Sequence, residues 1–404
     1  MKISFIITTA RNDYPYIGKP DLFVFEPTVE TLRNQTMSSS EFELIIVDYL
    51  YNQRKDYFKN KDLPFHVKHI PAAPNMWHEK GLSGICTQFN KGIPYADGEL
   101  LFFIGEGFMF IPQFCERMWK HYKDGYVPLV WYFHDHSFSP DVVSATNEQI
   151  SKYPITSKLP YNISYNIYGY TGKFITMDHR PPLVFKDNVD THKAHWEWWF
   201  GCSSAPLQAM LKINGFDQRF DGDKSLFDCD IGSRLEMSGF NNFGLFKDLF
   251  AIRLLNENKW NSNLSNVKIA TIKCNLALIW WSRDHKHYVS NDHENIDEDI
   301  KWCKDVYCTK KCRMRIFCKK NHPWQYPFQH KEGYYYEPKT DSWICDLEKV
   351  NKSADLIANN LLTIHKSTQE GFDFWRTHQT KINLREERNK RLAGDPKYLE
   401  GTFK

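Results

Sequence analysis

Two short runs near the start of the chain are dominated by β-branched and apolar residues, and each stops abruptly in polar ones. Lys2 to Thr9 (Lys-Ile-Ser-Phe-Ile-Ile-Thr-Thr) leads to Arg11, Asn12 and Asp13, and Glu43 to Val47 (Glu-Leu-Ile-Ile-Val) ends at Asp48. Runs this brief and this apolar predict strands buried on both faces. Between them, Pro27 to Asn34 carries Val29 and Leu32 at helical spacing behind an N-terminal proline. A strand, a helix and a strand in that order predict a βαβ unit, and open α/β sheets bind ligands outside the carboxyl ends of their strands. The polar residues at those ends, Thr9, Arg11 and Asp48, are therefore the first binding candidates.

The pattern continues. His66 to Ile70 predicts a third strand, Gly81 to Ile93 a helix, Glu99 to Ile104 a fully buried fourth strand and Phe114 to Tyr122 a helix. Pro140 to Lys193 is polar, aromatic and rich in Pro and Gly, and reads as a long excursion over the acceptor side. Pro206 to Ile213 predicts a helix, Asn214 to Gly222 a turn, and Asp228 to Ser238 a helix closed by Gly239. With 404 residues, 42% apolar and 25% charged, the chain can bury a large core, which excludes disordered and fibrous classes. A formal charge of +3 gives no global case for nucleic-acid binding. No run approaches the roughly 18 to 20 apolar residues of a membrane helix, and the start lacks the regions of a signal peptide, which predicts a cytoplasmic protein. In that reducing compartment the scattered Cys86, Cys115, Cys202, Cys229, Cys274 and Cys345 read as core thiols.

Three segments carry a family resemblance. They are Ile3 to Asn12 followed by Leu32-Arg-Asn-Gln35-Thr36 and Glu43 to Asp48; then Asn90-Lys-Gly92-Ile-Pro-Tyr-Ala96-Asp-Gly98-Glu99 through Ile104; then Ile213-Asn-Gly215-Phe216-Asp217, continuing to Asp228-Cys-Asp230-Ile-Gly232-Ser-Arg234 and Gly239. In this order and spacing, over roughly residues 1 to 250, they resemble the family-two glycosyltransferases of GT-A fold. The resemblance implies an α/β nucleotide-diphospho-sugar transferase fold over residues 1–290 and a sugar moved from a nucleoside-diphosphate donor, with a UDP-sugar favoured, to a hydroxyl acceptor such as a glycan. It implies that Asp48 contacts the nucleobase, with Thr9 and Arg11 beside it. Asp228 matches the second acid of the family's Glu-Asp pair and is implied as the general base of an inverting displacement. Phe227 stands where the first acid usually sits, and the bland alternative makes Asp228 a helix cap.

The departure from the family is at the metal site. Its Asp-x-Asp falls on Gly105-Glu106-Gly107, so only Glu106 remains to hold Mn²⁺ or Mg²⁺ on the diphosphate. Three readings stay open: Glu106 with waters suffices, fixed cations replace the metal, or the domain no longer catalyses. His285 and His287, in Trp280-Trp281-Ser-Arg283-Asp-His285-Lys-His287, are the further candidate ligands, against a plain solvated run. Trp196, Trp198 and Trp199 read equally as an acceptor platform or as core.

Beyond about residue 290 the composition changes, predicting a smaller, mainly helical, Cys-containing extension over 291–404. Between Lys301 and Lys320 lie eight Lys or Arg against the single Asp305. Cys303, Cys308, Cys312 and Cys318 supply four thiols within sixteen residues, enough for a structural Zn²⁺, with free thiols or a disulfide pair as alternatives. Ala354 to His365 predicts a helix, and the charged end from Arg385 to Lys404 a peripheral segment. The basic, aromatic extension leaves two further functions open: a transferase acting on hydroxylated bases in DNA, with nucleic acid as partner, and a non-catalytic sugar-nucleotide or glycan-binding protein.

Overall fold

A computed structural model of the chain describes residues 1–9, 26–56, 58, 61–73, 84–105, 107–135, 164–167, 170–177, 191–199, 202–221, 226–254, 278–292, 297–298, 301, 334–337, 342–345, 381–398 and 402–403. The N-terminal pattern folds as read. β1 (Ile3–Thr9) pairs in parallel with β2 (Phe42–Asp48), so that Thr9 lies opposite Asp48, and β2 pairs in parallel with β3 (His66–Pro71). On the other side β1 pairs in parallel with β4 (Leu100–Ile104). The helices between them are α1 (Glu26–Arg33), α2 (Tyr51–Arg54) and α3 (Ile85–Gly92). Because the chain steps outward from β1 to β2 and β3 and then returns through α3 to β4, the direction of winding reverses between β1 and β4. Such a reversal opens a crevice at the carboxyl ends of the two strands.

Beyond β4 come β5 (Phe108–Phe110), α4 (Phe114–Lys123) and β6 (Val127–Asp135). β10 (Cys202–Pro206) slots between β4 and β6 and runs antiparallel to both, while β11 (Phe243–Leu254) lies parallel to β6 and antiparallel to β5. Two further helices are α5 (Leu207–Lys212) and α6 (Phe227–Met237). This is the α/β class expected for residues 1–290. Much of the aromatic content is absorbed by the core. The Phe5 ring meets those of Phe42, Phe102, Phe110 and Phe114 at centroid separations of 6.3, 5.4, 5.7 and 6.4 Å, and all five are buried. Offset and edge-on pairs at such distances add to the area they bury. Cys86, Cys115 and Cys202 are buried free thiols, as expected, and Cys229 is a half-buried one.

Two expectations are corrected. The segment read as a polar excursion contains β7 (Ser164–Ile167), β8 (Tyr170–Met177) and β9 (Thr191–Lys193); β8 pairs with β6 and β9 with β11, so part of it extends the sheet. Its polar composition hid strands whose partners lie far away in sequence. The charged C-terminal end is not peripheral either. α7 (Leu384–Leu392) packs on the 3₁₀ turn Ile93–Tyr95 with Leu384 fully buried, and β14 (Thr402–Phe403) adds an antiparallel strand to the edge of β3. Arg391 pairs with Asp97 at 2.5 Å, Arg388 donates to the Ala96 carbonyl, and the Tyr398 ring lies 5.1 Å from that of Tyr95. A charged helix of low apolar content can dock in this way because its arginines bond to carbonyls and carboxylates rather than to an apolar groove. Elsewhere in 291–404, β12 (Tyr334–Glu337) and β13 (Ser342–Cys345) form an antiparallel hairpin. The expected helix at Ala354 to His365 lies outside the described residues.

Candidate active site

At the carboxyl ends of β1 and β2, four polar side chains meet with almost no solvent contact. The Asp48 carboxylate accepts the Leu50 backbone N–H (2.8 Å) and Arg54 Nη1 (3.4 Å) on Oδ1, and His69 Nε2 (2.9 Å) on Oδ2. Arg54 Nη1 also donates to Thr9 Oγ1 at 3.2 Å. Thr9, Asp48, Arg54 and His69 are all at or below 2% exposure. Burying a carboxylate is tolerable because a guanidinium and an imidazole lie against it. The His69 ring is held edge-on by Tyr51 and Phe58, with centroids at 4.9 and 5.0 Å.

Next to this cluster the first turn of α3 forms one wall of the crevice. As the β3–β4 crossover helix, α3 runs back against the strands, so its N-terminus stands at their carboxyl ends. No side chain of its own caps it. The cap comes from Asp221, which accepts the N–H groups of Cys86 (2.7 Å) and Thr87 (3.2 Å) and the Thr87 hydroxyl (2.5 Å). A carboxylate at a helix N-terminus satisfies orphan donors and meets the positive end of the dipole. Burial nonetheless outweighs these bonds and pushes the Asp221 carboxyl up to about 6. The neighbouring Tyr49 phenol is raised as well, by burial and then by the charge of Asp221.

The opposite wall is α6. Its N-cap is Leu226, held left-handed at φ 59° with no side-chain cap, so Asp228 lies within the first turn and is not the cap. A left-handed leucine is strained, and such strain collects at functional sites. α6 approaches the 3₁₀ turn Trp196–Trp198 so closely that a Cβ on Gly232 would lie 2.0 Å from the Trp196 carbonyl oxygen. Cys229 Sγ stands 3.9 Å from the Glu197 carbonyl oxygen. Cys202, three residues past Trp199, pairs with Ile104 at the carboxyl end of β4, so the first turn of α6 sits at the crevice mouth. Asp228 itself is half-buried, whereas Asp230 is buried in an ion pair with Arg234, which in turn bonds to the Ile213 and Gly215 carbonyls. Trp196 and Trp199 are buried, Trp199 against Phe103 and Phe216, so of the three tryptophans only Trp198 is more than marginally exposed.

No family model matches the sequence, and no curated protein matches it. Among solved structures the chain is similar to S. aureus TarS 1-349 in complex with UDP, and to the same protein in complex with UDP-GlcNAc. Each shows 13% identity over 98% of this chain and 92% of that one, with a TM-score of 0.45. A further structure of S. aureus TarS matches at 12% identity, covering 96% of this chain and 55% of that one, also with a TM-score of 0.45.

Of the candidates read from sequence, the fold brings Thr9 and Asp48 together at one strand end and sets Asp228 on the facing helix. Arg11 and Glu106 lie outside the described residues, as do Cys303, Cys308, Cys312 and Cys318. His285 stacks on Trp281 and its Nδ1 meets the Trp281 carbonyl at 2.8 Å, while His287 Nε2 lies 3.3 Å from Asp292. Their segment packs through Arg283 on Ser233 and Glu236, beyond the first turn of α6. Among the described residues no three His, Cys, Asp or Glu side chains come together as a metal-holding group. No helix among the described residues is long and apolar enough to cross a membrane. Sequence reasoning missed Arg54, His69, Gln88 and Asp221. None of the four stands in a motif or at a spacing that marks it in the sequence.

Proposed function

We propose that this chain is a glycosyltransferase that moves a sugar from a nucleoside-diphosphate donor, UDP-linked in the favoured case, to the hydroxyl of a glycan or other acceptor. The observation that carries the reading is the crevice at the β1–β4 reversal. It has the buried Thr9–Asp48 cluster on one side and Asp228 on the other, at the mouth of α6. In the proposed step the Asp228 carboxylate takes the proton of the acceptor hydroxyl as its oxygen attacks the anomeric carbon. The bond from that carbon to the diphosphate oxygen breaks, and the configuration inverts. Thr9, Arg11 and Asp48 hold the nucleotide end. A divalent ion at Glu106, Mn²⁺ or Mg²⁺, would offset charge on the departing diphosphate. Residues 1–290 carry this chemistry, and 291–404 form a smaller extension whose last helix and strand pack back on that domain.

The test is calorimetry and turnover with UDP-, GDP- and dTDP-sugars, with and without Mn²⁺, on the intact chain and on Asp228→Asn. Binding of one nucleotide class, with slow donor hydrolysis lost in the variant, supports the proposal. Binding without any turnover supports a non-catalytic sugar-nucleotide-binding protein instead. Absence of nucleotide binding under every condition overturns both.

A further inference from the structure

Gln88 is fully buried on α3. A buried primary amide is costly unless its donors and acceptor are used. Here Oε1 accepts the Ala73 N–H at 2.8 Å, and Nε2 donates to the Ala73 carbonyl at 3.0 Å and to Tyr49 Oη at 2.9 Å. Gripping both the N–H and the C=O of one residue is what a neighbouring strand would do. The amide thus extends the ladder of the sheet to Ala73, two residues past the end of β3.

The strand ends are stitched together in steps. Tyr49 N–H bonds to the Thr9 carbonyl at 3.0 Å and Ala72 N–H to the Asp48 carbonyl at 3.0 Å, and Gln88 then ties Ala73 back to Tyr49. The helix that carries Gln88 is itself pinned at the preceding residue, Thr87, by Asp221. Asp221 lies at the end of the 3₁₀ turn Gln218–Phe220, a few residues before α6. One side chain therefore ties the segments that follow β2 and β3 to each other beyond their last backbone bond, and its anchor belongs to the segment leading to the opposite wall.

We infer that Gln88, seated on Asp221 through the first turn of α3, is a positioning residue for the donor's nucleotide pocket, holding the Tyr49 and Ala72–Ala73 rim in register with Asp48. This rests on the proposed function. It assigns Gln88 to affinity and Asp228 to turnover, so the two are separable by experiment.

The experiment measures UDP dissociation constants by calorimetry and donor-hydrolysis kcat at saturating UDP-sugar for the intact chain, Gln88→Ala, Tyr49→Phe and Asp228→Asn, with a thermal melt of each. Tyr49→Phe removes only one hydroxyl, which guards against Gln88→Ala failing to fold. The expected result is a UDP dissociation constant raised about tenfold in Gln88→Ala and about threefold in Tyr49→Phe, with kcat within about threefold of the parent, against retained affinity and lost turnover in Asp228→Asn. Unchanged UDP affinity in both rim variants overturns the inference and leaves the proposed function standing, as does a parallel loss of affinity and kcat that tracks the melt. A parent chain that binds no nucleotide overturns both.

Discussion

Asn214 reaches across 168 residues of sequence to donate its side-chain amide to the Ile382 carbonyl at 2.6 Å. The same nitrogen donates to the Ser290 carbonyl at 2.7 Å, and Oδ1 accepts the Leu384 N–H at 3.0 Å. Ser290 and Ile382 are thus both held by one side chain. The stretch between Ser290 and Ile382 begins and ends on the same turn.

Loss of that side chain leaves two carbonyls and an N–H without their partner. It also forces a non-Gly residue without a polar side chain to hold φ 57°. Asn214→Ala is expected to lower stability by about 2 to 4 kcal/mol. Ending the chain at residue 380 should cost at least as much, because β14, α7 and the Leu384 contact go together. Denaturant unfolding of both against the parent checks this, and a truncated chain as stable as the parent would show the terminal segment to be dispensable.

Asp228 and Asp230 are two residues apart and should behave oppositely. Asp228→Asn is expected to lower kcat by about 10² to 10⁴ with little change in melting temperature, as for a general base. Asp230→Asn strips the buried Arg234 of its carboxylate and is expected to cost about 3 to 5 kcal/mol. Melts and donor-hydrolysis rates of the two variants, side by side, check the assignment.

The Asp221 carboxyl gives the fold a pH signature. Folded, it keeps its proton up to about 6, against an ordinary 3.8, so between these values the folded state binds more protons than the unfolded one. Its contribution to stability is present at low pH and is lost as pH rises from about 4 to about 6, by about 3 kcal/mol at about 1.4 kcal/mol per pH unit. Asp221→Asn is expected to remove this slope, read by denaturant titrations at several pH values; an equal slope in the variant would assign it to another group.

Gly232 and Gly105 should answer a methyl group differently. At Gly232 the added carbon meets the Trp196 carbonyl, and Gly232→Ala is expected to cost about 2 kcal/mol or more as α6 is pushed off its seat. At Gly105 no described residue lies within 4 Å, so Gly105→Ala should leave stability within about 0.5 kcal/mol. If Gly105 is where ligand meets backbone, the same variant weakens nucleotide binding at unchanged melting temperature, which one calorimetric titration decides.

Strand positions in the first half were legible because buried parallel strands need continuous apolar runs, as in Phe42–Asp48 and Leu100–Ile104. Helix α6 was legible from its spacing and its closing glycine, which takes φ 97° at Gly239. Asp48 and Thr9 were legible as strand-end residues, but the arginine and histidine that grip Asp48 were not. Arg54 ends the short helix α2 and His69 sits within a strand, and neither position announces a partner on another element.

What the sequence by itself determined is therefore local: which segments are strands or helices, the α/β class, and which polar residues end the apolar runs. Only tertiary structure decided that β8, β9 and β14 join the sheet, that Asp221 caps α3, that Gln88 binds Ala73, and that Asp230 pairs inward while Asp228 stays half-exposed. The physical reason is that periodicity and capping are written within a few residues. Which carboxylate is desolvated, and by what, depends on segments brought together over a hundred or more residues.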